Sequence, residues 1–424
     1  MEIFKAYDIR GIYPSELDEK KAFRIGRSIA TLANGKTLYM NIDTRLGSKM
    51  IKENFVGGML ESGGNIVDLG MGTIMEAAVA SYKNDAFGIS LTASHNPAEY
   101  AGIIAMEKGV TVDPQSIKGF YLSGRFSAGK GTLAKEDFKN EYISLITKGV
   151  SGIGLKVGID SMGGSTTHII KSIMDRIGCE YSAIYDMPSE TFYGRHPEPK
   201  EENSKDLSVL VVEDGLDFGV QFDADGDRIG IVDEEGRFIN PNLLGLIFIK
   251  YNNYKKVVAD FSFSRIIEKY ASVKYERVGH RFIEAELMRH GYPFALESSA
   301  HFYFGEYHPF SDGLLSAVMF ARILKESGKK ASEIVDSMPK VYYDVKGLKF
   351  NSDKDRDSLM AKIESRVLGM EGVERLDGIK IKIGGGFALF RKSNTEPLVK
   401  VYCDAQSAGE LAEIIKKAEA LCSG

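Results

Sequence analysis

The sequence predicts an α/β fold, with three similar α/β domains built on mixed sheets and a smaller α+β domain at the C-terminal end. Strand-like and helix-like hydrophobic patterns alternate from the N-terminus, and this alternation restarts at Leu155 and again near Tyr251. From about Tyr343 the order changes to one helix, a run of strands and a terminal helix. A chain of 424 residues also exceeds what one hydrophobic core usually organises, so several domains are expected.

These changes of pattern divide the chain into four predicted domains, with bounds at 1–148, 149–249, 250–342 and 343–424. In the first domain the hydrophobic periods predict helices over 17–33, 49–60 and 75–84, and strands over 38–42, 65–70 and 86–91. Ser15 is the expected cap of the first helix, because a serine hydroxyl can accept a hydrogen bond from the free N–H groups of a first helical turn.

The same alternation predicts the elements of the other domains. The second domain is expected to contain strands over 155–160, 179–185 and 216–222 and a helix over 167–178. The third is expected to contain strands over 255–261 and 273–278 and helices over 264–271 and 283–291. In the fourth, helices over 357–369 and 408–422 flank strands within 379–393 and over 398–405.

Composition and charge argue against several classes of function. Hydrophobic residues are 43% of the chain and charged residues 27%, and no apolar run approaches the ~18 residues that span a bilayer, so no membrane segment is predicted. The charged N-terminal stretch lacks the apolar core of a signal peptide, and three scattered cysteines do not form a disulfide framework, which indicates the cytoplasm. With a net charge of −5 and no cluster of lysine and arginine, nucleic acid is not an expected partner, whereas a small anionic ligand is compatible.

The segment FDADGDRIGIVDE places Asp223, Asp225 and Asp227 at alternate positions, which suits a hard divalent cation. Glu234 gives the spacing of a twelve-residue calcium loop, but strand-like flanks and Arg228 at the sixth position, where such a loop needs glycine, make calcium a minor alternative. An acidic turn without an ion is a second alternative. Because a cation repels Arg228 unless an anion lies between them, the loop favours a metal together with a phosphate.

A second polar loop follows the buried strand over 86–91. In the segment TASHNP, Pro97 stops regular structure, so Ser94 and His95 are expected on a loop at the carboxyl end of a strand, where ligand sites of α/β folds gather. The simpler interpretation is an Asn-Pro turn with incidental polar residues.

A third polar loop, RKSNTEP, lies between two predicted strands near the C-terminus. Arg391 offers a fork of donors, and Ser393, Asn394 and Thr395 offer short side chains and backbone N–H groups. These groups together are typical of a phosphate-binding loop.

Together these segments resemble the α-D-phosphohexomutases, in particular their phosphomannomutase/phosphoglucomutase branch. The resemblance rests on four loops in order: TASHNP, the DADGDR turn, ESSAH at Glu297 and RKSNTEP. The stretches FKAYDIRGI, DTRLGS and RHPEP are also similar to that family, so the likeness spans nearly the whole chain.

The resemblance implies an intramolecular phosphotransferase of the isomerase class, with four domains around a central cleft. Such an enzyme interconverts hexose 6-phosphate and hexose 1-phosphate, here mannose or glucose, through a phosphoserine and a hexose 1,6-bisphosphate that also acts as activator. Ser94 matches the phosphoserine, and Mg²⁺ is expected on Asp223, Asp225, Asp227 and a phosphoserine oxygen. The implied partner is a small phosphosugar, and the oligomeric state is left open.

The resemblance also assigns roles to the remaining loops. Glu297 and Ser299 match residues that bind sugar hydroxyls, and His301 matches a residue that orients the sugar or exchanges protons. His280 matches a position that senses which end of the sugar is presented, with a helix cap as the alternative. The residues expected at the non-transferring phosphate are Arg391, Ser393, Asn394 and Thr395. Tyr7 and Arg10 match contacts at the edge of the site, and the implied catalytic residues are Ser94, His95, Arg10 and Arg228.

Three places depart from the family pattern, one of them Gly72-Thr73-Ile74, where relatives often have Pro-Thr-Pro. Ile104 stands where relatives usually carry a lysine that serves proton transfer or phosphate contact, and His95, Arg10 or Lys108 are candidates to replace it. Ser262 stands where some bifunctional members carry another lysine. These departures leave two alternatives open: a phosphoglucosamine mutase, and a regulatory paralogue that binds phosphosugars with little turnover.

Overall fold

The computed structural model describes residues 3–5, 7–393 and 397–423. Its first sheet contains β1 (Ile9–Ile12), β2 (Thr37–Ile42), β3 (Asn65–Met71), β4 (Phe87–Leu91), β5 (Tyr100–Glu107), β6 (Val110–Thr111) and β7 (Thr132–Lys135). The strand order is β1-β5-β4-β2-β3-β7, with β6 beside β5. Because β4, β2, β3 and β7 run parallel while β1 and β5 are antiparallel to their neighbours, the sheet is mixed.

Five helices accompany this sheet: α1 (Glu19–Ala33), α2 (Leu46–Glu61), α3 (Ile74–Lys83), α4 (Pro114–Ser123) and α5 (Lys139–Ile146). Helices α1 and α2 pack closely because both carry a glycine at the contact. A Cβ on Gly26 would stand 2.2 Å from the carbonyl oxygen of Phe55, and one on Gly58 would stand 2.0 Å from that of Phe23. The first helix begins after Asp18, whose carboxylate accepts a hydrogen bond from the N–H of Lys21, so the expectation of Ser15 as its cap is wrong.

The second sheet contains β8 (Lys156–Asp160), β9 (Glu180–Ile184), β10 (Phe218–Phe222), β11 (Ile229–Asp233) and β12 (Phe238–Ile239), in the order β12-β11-β10-β8-β9. Helices α6 (Ile170–Ile177) and α7 (Lys205–Glu213) accompany it, and α8 (Pro241–Tyr251), which follows in the chain, packs through Phe248 against Phe294, Phe302 and Phe304 of the third sheet. The hairpin of β10 and β11 matters most for the site, because its turn carries the aspartates at 223–227.

The third sheet contains β13 (Lys256–Asp260), β14 (Ser272–Glu276), β15 (Phe294–Glu297) and β16 (His301–Phe304), in the order β14-β13-β15-β16. Helices α9 (His280–His290), α10 (Gly313–Ser327) and α11 (Ala331–Asp336) accompany it. The segment predicted as a helix over 264–271 is only a short 3-10 turn, Arg265–Lys269. Tertiary contacts fix its start, because Asp404 accepts hydrogen bonds from the Ser264 hydroxyl and from the N–H of Arg265, and β14 begins at Ser272.

The fourth sheet is entirely antiparallel, with β17 (Tyr342–Lys349), β18 (Val373–Glu374), β19 (Ile379–Ile383), β20 (Gly386–Lys392) and β21 (Leu398–Ala405) in the order β17-β21-β20-β19-β18. Helices α12 (Asp353–Arg366) and α13 (Ala408–Cys422) accompany it. The predicted fold class, three mixed α/β units and a smaller α+β unit, is confirmed. Within the described ranges, no helix is both long and apolar enough to cross a membrane.

The hydrophobic cores do not follow the four sheets one to one. A single cluster of buried side chains extends from Ile74 of α3 to Met338, and so joins one face of the first unit to the second and third units. The fourth unit has a separate core, from Leu359 of α12 to Ala418 of α13. A small aromatic cluster around Phe261 and Tyr402 connects that unit to the third.

Lys380 lies at the contact between the third and fourth units. Its side chain is 1% exposed, and its ammonium group has no hydrogen-bond partner among the described residues. The nitrogen lies 3.8 Å from the ring centroid of Phe261, 4.3 Å from that of Phe387 and 5.1 Å from that of Tyr275. Burial, with a contribution from the charge of Arg265, lowers the pKa of Lys380 from its ordinary 10.5 to about 8. The aromatic rings therefore offset only part of the cost of burying this charge.

Replacing this ammonium by an apolar group of similar length should stabilise the protein. We expect Lys380→Met to raise the free energy of unfolding at pH 7 by about 1 to 3 kcal/mol. The native lysine loses its proton near pH 8 when folded but only near 10.5 when unfolded, so the penalty is fully present below pH 8 and is relieved as the pH rises towards 10.5. Chemical denaturation from pH 7 to 10 measures whether the two proteins converge.

The exposed Lys382 on the same strand provides the matched control, since Lys382→Met should change stability by less than about 0.5 kcal/mol. A stability difference between Lys380→Met and the native protein that stays constant across this pH range would contradict the assignment of a depressed pKa.

Candidate active site

One cleft of about 200 Å³ is lined by side chains from all four units. Ser94 comes from the loop after β4, Arg228 from the turn after β10, Glu297 and His301 from the β15–β16 turn, and Arg391 from the end of β20. The structure thus brings together the four loops that the sequence singled out. Asn394 and Thr395, which the sequence analysis assigns to the same site, lie outside the described residues.

The backbone of Ser94 is held in a conformation that residues other than glycine seldom adopt. Its φ angle is +48°, and its N–H donates to Thr92 Oγ1 at 2.9 Å. Its hydroxyl donates to Asp223 Oδ2 at 3.0 Å, and His95 Nδ1 lies 3.5 Å from the same hydroxyl. Strained backbone of this kind persists only where neighbouring groups hold it, and it is common at functional sites.

Arg45 is the group that holds this loop. Its side chain is fully buried, and it donates to the carbonyl oxygen of Ser94 at 2.6 Å and to those of Pro97 and Tyr100 at 3.1 Å each. Its charge is balanced by Asp43, whose Oδ2 lies 2.6 Å from Nε. The stretch DTRLGS contributed only to the family resemblance, and the role of Arg45 was not predicted from it. An Asp-x-Arg triplet directly after a buried strand is the signal that could have indicated it.

The carboxylates of Asp223, Asp225 and Asp227 have ligand atoms within 4.8 Å of one another. All three are buried, which contradicts the interpretation of the segment as a solvated acidic turn. Oδ1 of Asp225 and Oδ1 of Asp227 are buried without a hydrogen-bond partner. Unpaired buried carboxylate oxygens facing a common centre are the donor set that a hard divalent cation requires, so these residues fit a metal ion.

Burial and mutual repulsion shift the proton affinities of the three acids in different directions. Burial, followed by the charge of Asp227, raises the pKa of Asp223 well above its usual range and that of Asp225 to about 7. Burial also acts to raise the pKa of Asp227, but His301 and the other nearby cationic groups outweigh it and lower the pKa. Asp227 is therefore the most strongly anionic member of the cluster.

Strands, not helices, flank the aspartates, because β10 and β11 pair antiparallel on either side of the turn. This arrangement excludes a helix–loop–helix calcium site. Glu234 lies in the turn after β11, as expected, but it does not lack partners. Its Oε2 accepts a hydrogen bond from the N–H of Ser332, and its Oε1 accepts one from the hydroxyl of the same residue. Glu234 therefore attaches the hairpin to α11 and does not serve the metal cluster.

Arg228 connects the aspartate turn with the β15–β16 turn. Its Nε donates to His301 Nε2 at 3.1 Å and lies 3.7 Å from Asp223 Oδ2, and its Nη1 lies 3.3 Å from Glu198 Oε1. Glu198 was not predicted as a site residue. It lies in the stretch RHPEP, before α7, and a single glutamate in such a loop gave no chemical signal.

The groups around the third unit's loop are arranged by hydrogen bonds among themselves. Glu297 accepts from the hydroxyl of Tyr303 and from the N–H of Gly279 at 3.1 Å. Ser299 Oγ lies 2.8 Å from His301 Nδ1. His280 is the first residue of α9, and its ring crosses that of His301 with centroids 4.3 Å apart. His280 lines the cleft as the first residue of α9, but the N-cap of that helix is Gly279, so the alternative of a helix-cap role for His280 is wrong.

Arg391 and Tyr7 meet at another side of the cleft. Arg391 Nε donates to Asp377 Oδ2 at 2.7 Å, and its Nη2 donates to the hydroxyl of Tyr7 at 3.2 Å. That hydroxyl in turn donates to the carbonyl oxygen of Val278 at 2.6 Å. Tyr7 thus connects the first, third and fourth units at the rim of the cleft.

Cationic groups are concentrated in this cleft. Arg10 is held by Asp8, with its Nε 2.8 Å from Oδ1, and it also donates to Asn96. Burial, followed by the charges of Arg228, Arg10 and Lys400, lowers the pKa of His95 well below its usual range, so His95 is neutral. Lys400 lines the cleft but was not predicted, because its position inside a strand resembled an ordinary solvent-facing lysine. Such a density of positive charge is typical of a site for anions.

Ile104 lines the cleft together with apolar side chains of α3 and β5, including Ile74, Met75 and Met106. The position that is usually a lysine is therefore part of an apolar wall. Lys108, one candidate to replace it, does not line the cleft, and its Nζ lies 3.0 Å from Asp85 Oδ1 at the surface. His95 and Arg10 do line the cleft.

Removing the guanidinium of Arg45 should collapse the serine loop. We expect Arg45→Met to lower the free energy of unfolding by about 3 to 5 kcal/mol, since it leaves Asp43 as an uncompensated buried charge. Thermal and chemical denaturation measure this loss. Lys49→Met on α2 removes an exposed ion pair with Glu190 and should cost less than about 1 kcal/mol. Equal effects of the two substitutions would contradict the structural role given to Arg45.

Comparison with known proteins agrees with this arrangement. Four family models match the chain in order: the phosphoglucomutase/phosphomannomutase α/β/α domains I, II and III over residues 1–121, 137–236 and 240–342, and the C-terminal domain over 339–421. A phosphomannomutase from Methanocaldococcus jannaschii is 32% identical over 98% of this chain and 96% of its own length. A phosphoglucomutase/phosphomannomutase from Thermococcus kodakarensis is 28% identical over 98% and 97%.

Among solved structures, that of a phosphoglucomutase/phosphomannomutase family protein from Burkholderia thailandensis matches with a TM-score of 0.89 and 26% identity. The match covers 99% of this chain and 96% of the other. The family models together cover far more than half of the chain and follow one another in the same order as the four sheets. The chain therefore belongs to the phosphoglucomutase/phosphomannomutase family.

Proposed function

We propose that the protein is a phosphohexomutase that interconverts hexose 6-phosphate and hexose 1-phosphate, with mannose and glucose as the sugars, through a phosphoserine at Ser94 and a 1,6-bisphosphate. The observation that supports this most directly is the Ser94 hydroxyl 3.0 Å from Asp223, beside unpaired buried carboxylate oxygens and in a cleft rich in cationic side chains. A hydroxyl that carries a phosphoryl group needs this combination, because the transferring group develops negative charge on several oxygens.

The metal in this proposal is Mg²⁺. Asp223, Asp225 and Asp227 would hold it, and their all-oxygen donor set suits a hard cation. When bound, Mg²⁺ would offset negative charge on the transferring phosphoryl group. Asp223 Oδ2 accepts the hydrogen bond of the free serine hydroxyl and thereby orients it towards the metal ligands.

The other groups divide the substrate between its two phosphates and its ring. Arg228 lies between the aspartates and His301, where it can neutralise the transferring phosphate. Arg391 and Ser393, with Asn394 and Thr395, would bind the phosphate that stays on the sugar. Glu297 and Ser299, with His280 and His301, would bind and orient the sugar hydroxyls.

Because Ile104 stands where relatives usually carry a lysine, another side chain of the cleft must transfer the proton, and an uncharged one is suited to accept it. His95 is the best-placed candidate, since Nδ1 lies 3.5 Å from the Ser94 hydroxyl and the surrounding cations keep the ring unprotonated. Arg10 is less suited to moving a proton, because Asp8 and Asn96 hold its guanidinium and arginine stays charged. We therefore assign His95 to proton exchange and Arg10 to phosphate contact.

The proposal is tested by turnover and by the phosphorylation state. We expect coupled assays to show conversion of mannose 1-phosphate or glucose 1-phosphate, and intact-mass analysis to show one phosphate that Ser94→Ala removes. Ser116→Ala, on α4 and outside the cleft, is the control. Binding of sugar phosphates without turnover or phosphorylation would favour a regulatory protein. Preferential turnover of glucosamine phosphate would overturn only the choice of sugar.

Asp225→Asn should separate chemistry from binding. The substitution removes a negatively charged metal ligand while leaving Arg391, Glu297 and the other ligand-binding groups in place, so we expect kcat to fall by about 100-fold or more. The dissociation constant for glucose 1-phosphate, measured by calorimetry, should change by less than about threefold. Parallel losses of kcat and of affinity would contradict the proposed division of roles.

A further inference from the structure

Asp227 belongs to two clusters of possible metal ligands. One is the aspartate cluster already described, and the other consists of Asp227, His280 and His301, with ligand atoms within 4.8 Å of one another. We propose that this second cluster, called here the histidine site, binds a borderline transition-metal ion such as Zn²⁺, independently of Mg²⁺, and that this ion competes with the sugar phosphate. Only the competition rests on the proposed function; the site itself rests on its geometry.

The distances in the histidine site are close to those of a tetrahedral ion. His301 Nε2 lies 3.5 Å from Asp227 Oδ1, and His280 Nε2 lies 3.9 Å from Asp227 Oδ2. A zinc ion with bonds of about 2.0 to 2.1 Å separates its ligand atoms by about 3.3 to 3.4 Å. Since all three ligand atoms lie within 4.8 Å of one another, small side-chain rotations would bring them into range without movement of the helix, turn and strand that carry them.

A second observation points to a ligand at this place. Oδ1 of Asp227, the oxygen nearest His301, is buried and has no hydrogen-bond partner in the described part of the chain, and the residue is only 3% exposed. A buried anionic oxygen without a donor is costly unless a cation or another donor reaches it. The aspartate cluster uses the same residue, so a zinc ion bound to Oδ1 would leave only Oδ2 of Asp227 for that cluster.

The donor types separate the two sites chemically. Two imidazoles and one carboxylate favour zinc and related ions, whereas three carboxylates favour magnesium. The ring nitrogens that would not bind the ion have hydrogen-bond partners. Nδ1 of His301 lies 2.8 Å from Ser299 Oγ, and Nδ1 of His280 lies 3.4 Å from the hydroxyl of Tyr303. Such contacts orient the metal-binding nitrogens. Because both histidines line the cleft, an open coordination position would face the space that the sugar needs.

Arg228 opposes the binding of zinc at the histidine site. Its Nε donates to His301 Nε2, the nitrogen that would bind the ion, at 3.1 Å, and its positive charge opposes a cation. The guanidinium also reaches Glu198, with Nη1 3.3 Å from Oε1, so an alternative anionic partner is close by. Zinc binding would require Arg228 to release His301. Removing the guanidinium should therefore strengthen zinc binding, the opposite of what loss of a supporting residue would do.

Zinc affinity can be measured without turnover. Purified protein is saturated with Mg²⁺ and titrated with Zn²⁺ in competition with a chromophoric chelator, and Co²⁺ absorption reports nitrogen ligation. We expect one zinc ion per chain that excess Mg²⁺ does not displace. His280→Gln and His301→Gln should weaken its binding by about tenfold or more. Arg228→Met should tighten it.

His290→Gln is the matched control. His290 is the last residue of α9, is exposed, and has its Nε2 3.7 Å from Glu286, outside the cleft. This variant should bind zinc like the native chain, and circular dichroism should confirm that every variant is folded. Unchanged zinc affinity in both cleft histidine variants, or displacement of the ion by Mg²⁺, would overturn the proposal. So would weaker zinc binding by Arg228→Met.

Competition is tested separately by adding glucose 1-phosphate to the zinc titration. We expect the sugar phosphate to weaken apparent zinc affinity in the native protein and Zn²⁺ to raise the apparent KM in turnover assays. A zinc ion that binds through the two histidines while the sugar phosphate has no effect on it would refute the competition. If no mutase activity were found but the histidine-dependent zinc site were present, the proposed function would fail and the metal site would stand.

Discussion

The repulsion among three buried carboxylates is the constraint around which this site is built. Asp223, Asp225 and Asp227 lie too close together, and too far from water, to stay ionised without positive charge nearby. The fold supplies part of that charge through Arg228, and the carboxylate oxygens that have no hydrogen-bond partner among the described residues leave room for a cation. Arg228 also faces the cleft, together with Arg10, Arg391 and Lys400, which makes the cleft attractive to phosphate esters. A local electrostatic cost thereby defines both the ion and the ligand class.

Much of this arrangement could be predicted from the sequence. Hydrophobic periods gave the four units, Ser94 was indicated by its place after a buried strand, and Asp223 by the alternating aspartates, whereas Glu297 rested on the family resemblance alone. The missed residues are those whose importance comes from tertiary contacts. Arg45 acts through carbonyl groups around fifty residues away in the chain, and the charge of Lys400 matters only because of where its strand is placed. Sequence patterns report residues that are close together along the chain, and they do not report contacts between distant segments.

Two predictions, Ser15 as the cap of α1 and a helix over 264–271, were wrong. Asp18 and Ser15 are both good caps, and only the backbone direction at the helix start distinguishes them. In the third unit, the helical period was present, but the segment forms a 3-10 helix whose start is held by Asp404 of the fourth unit. Helix propensity is a weak preference that tertiary contacts can override.

The shared core has a consequence for how the molecule comes apart. Since buried side chains from α3 to Met338 form one cluster, the first three units should unfold cooperatively, as a single block despite their three sheets. The fourth unit has its own core and is joined to the block by a small aromatic cluster and by polar contacts such as those of Asp404 with Ser264 and Arg265, so it can lose and regain structure with little disturbance of that block. The fourth unit forms one side of the cleft and the first three units form the other. Thermal motion of the fourth unit can therefore open the cleft while Ser94 and the three aspartates keep their relative positions.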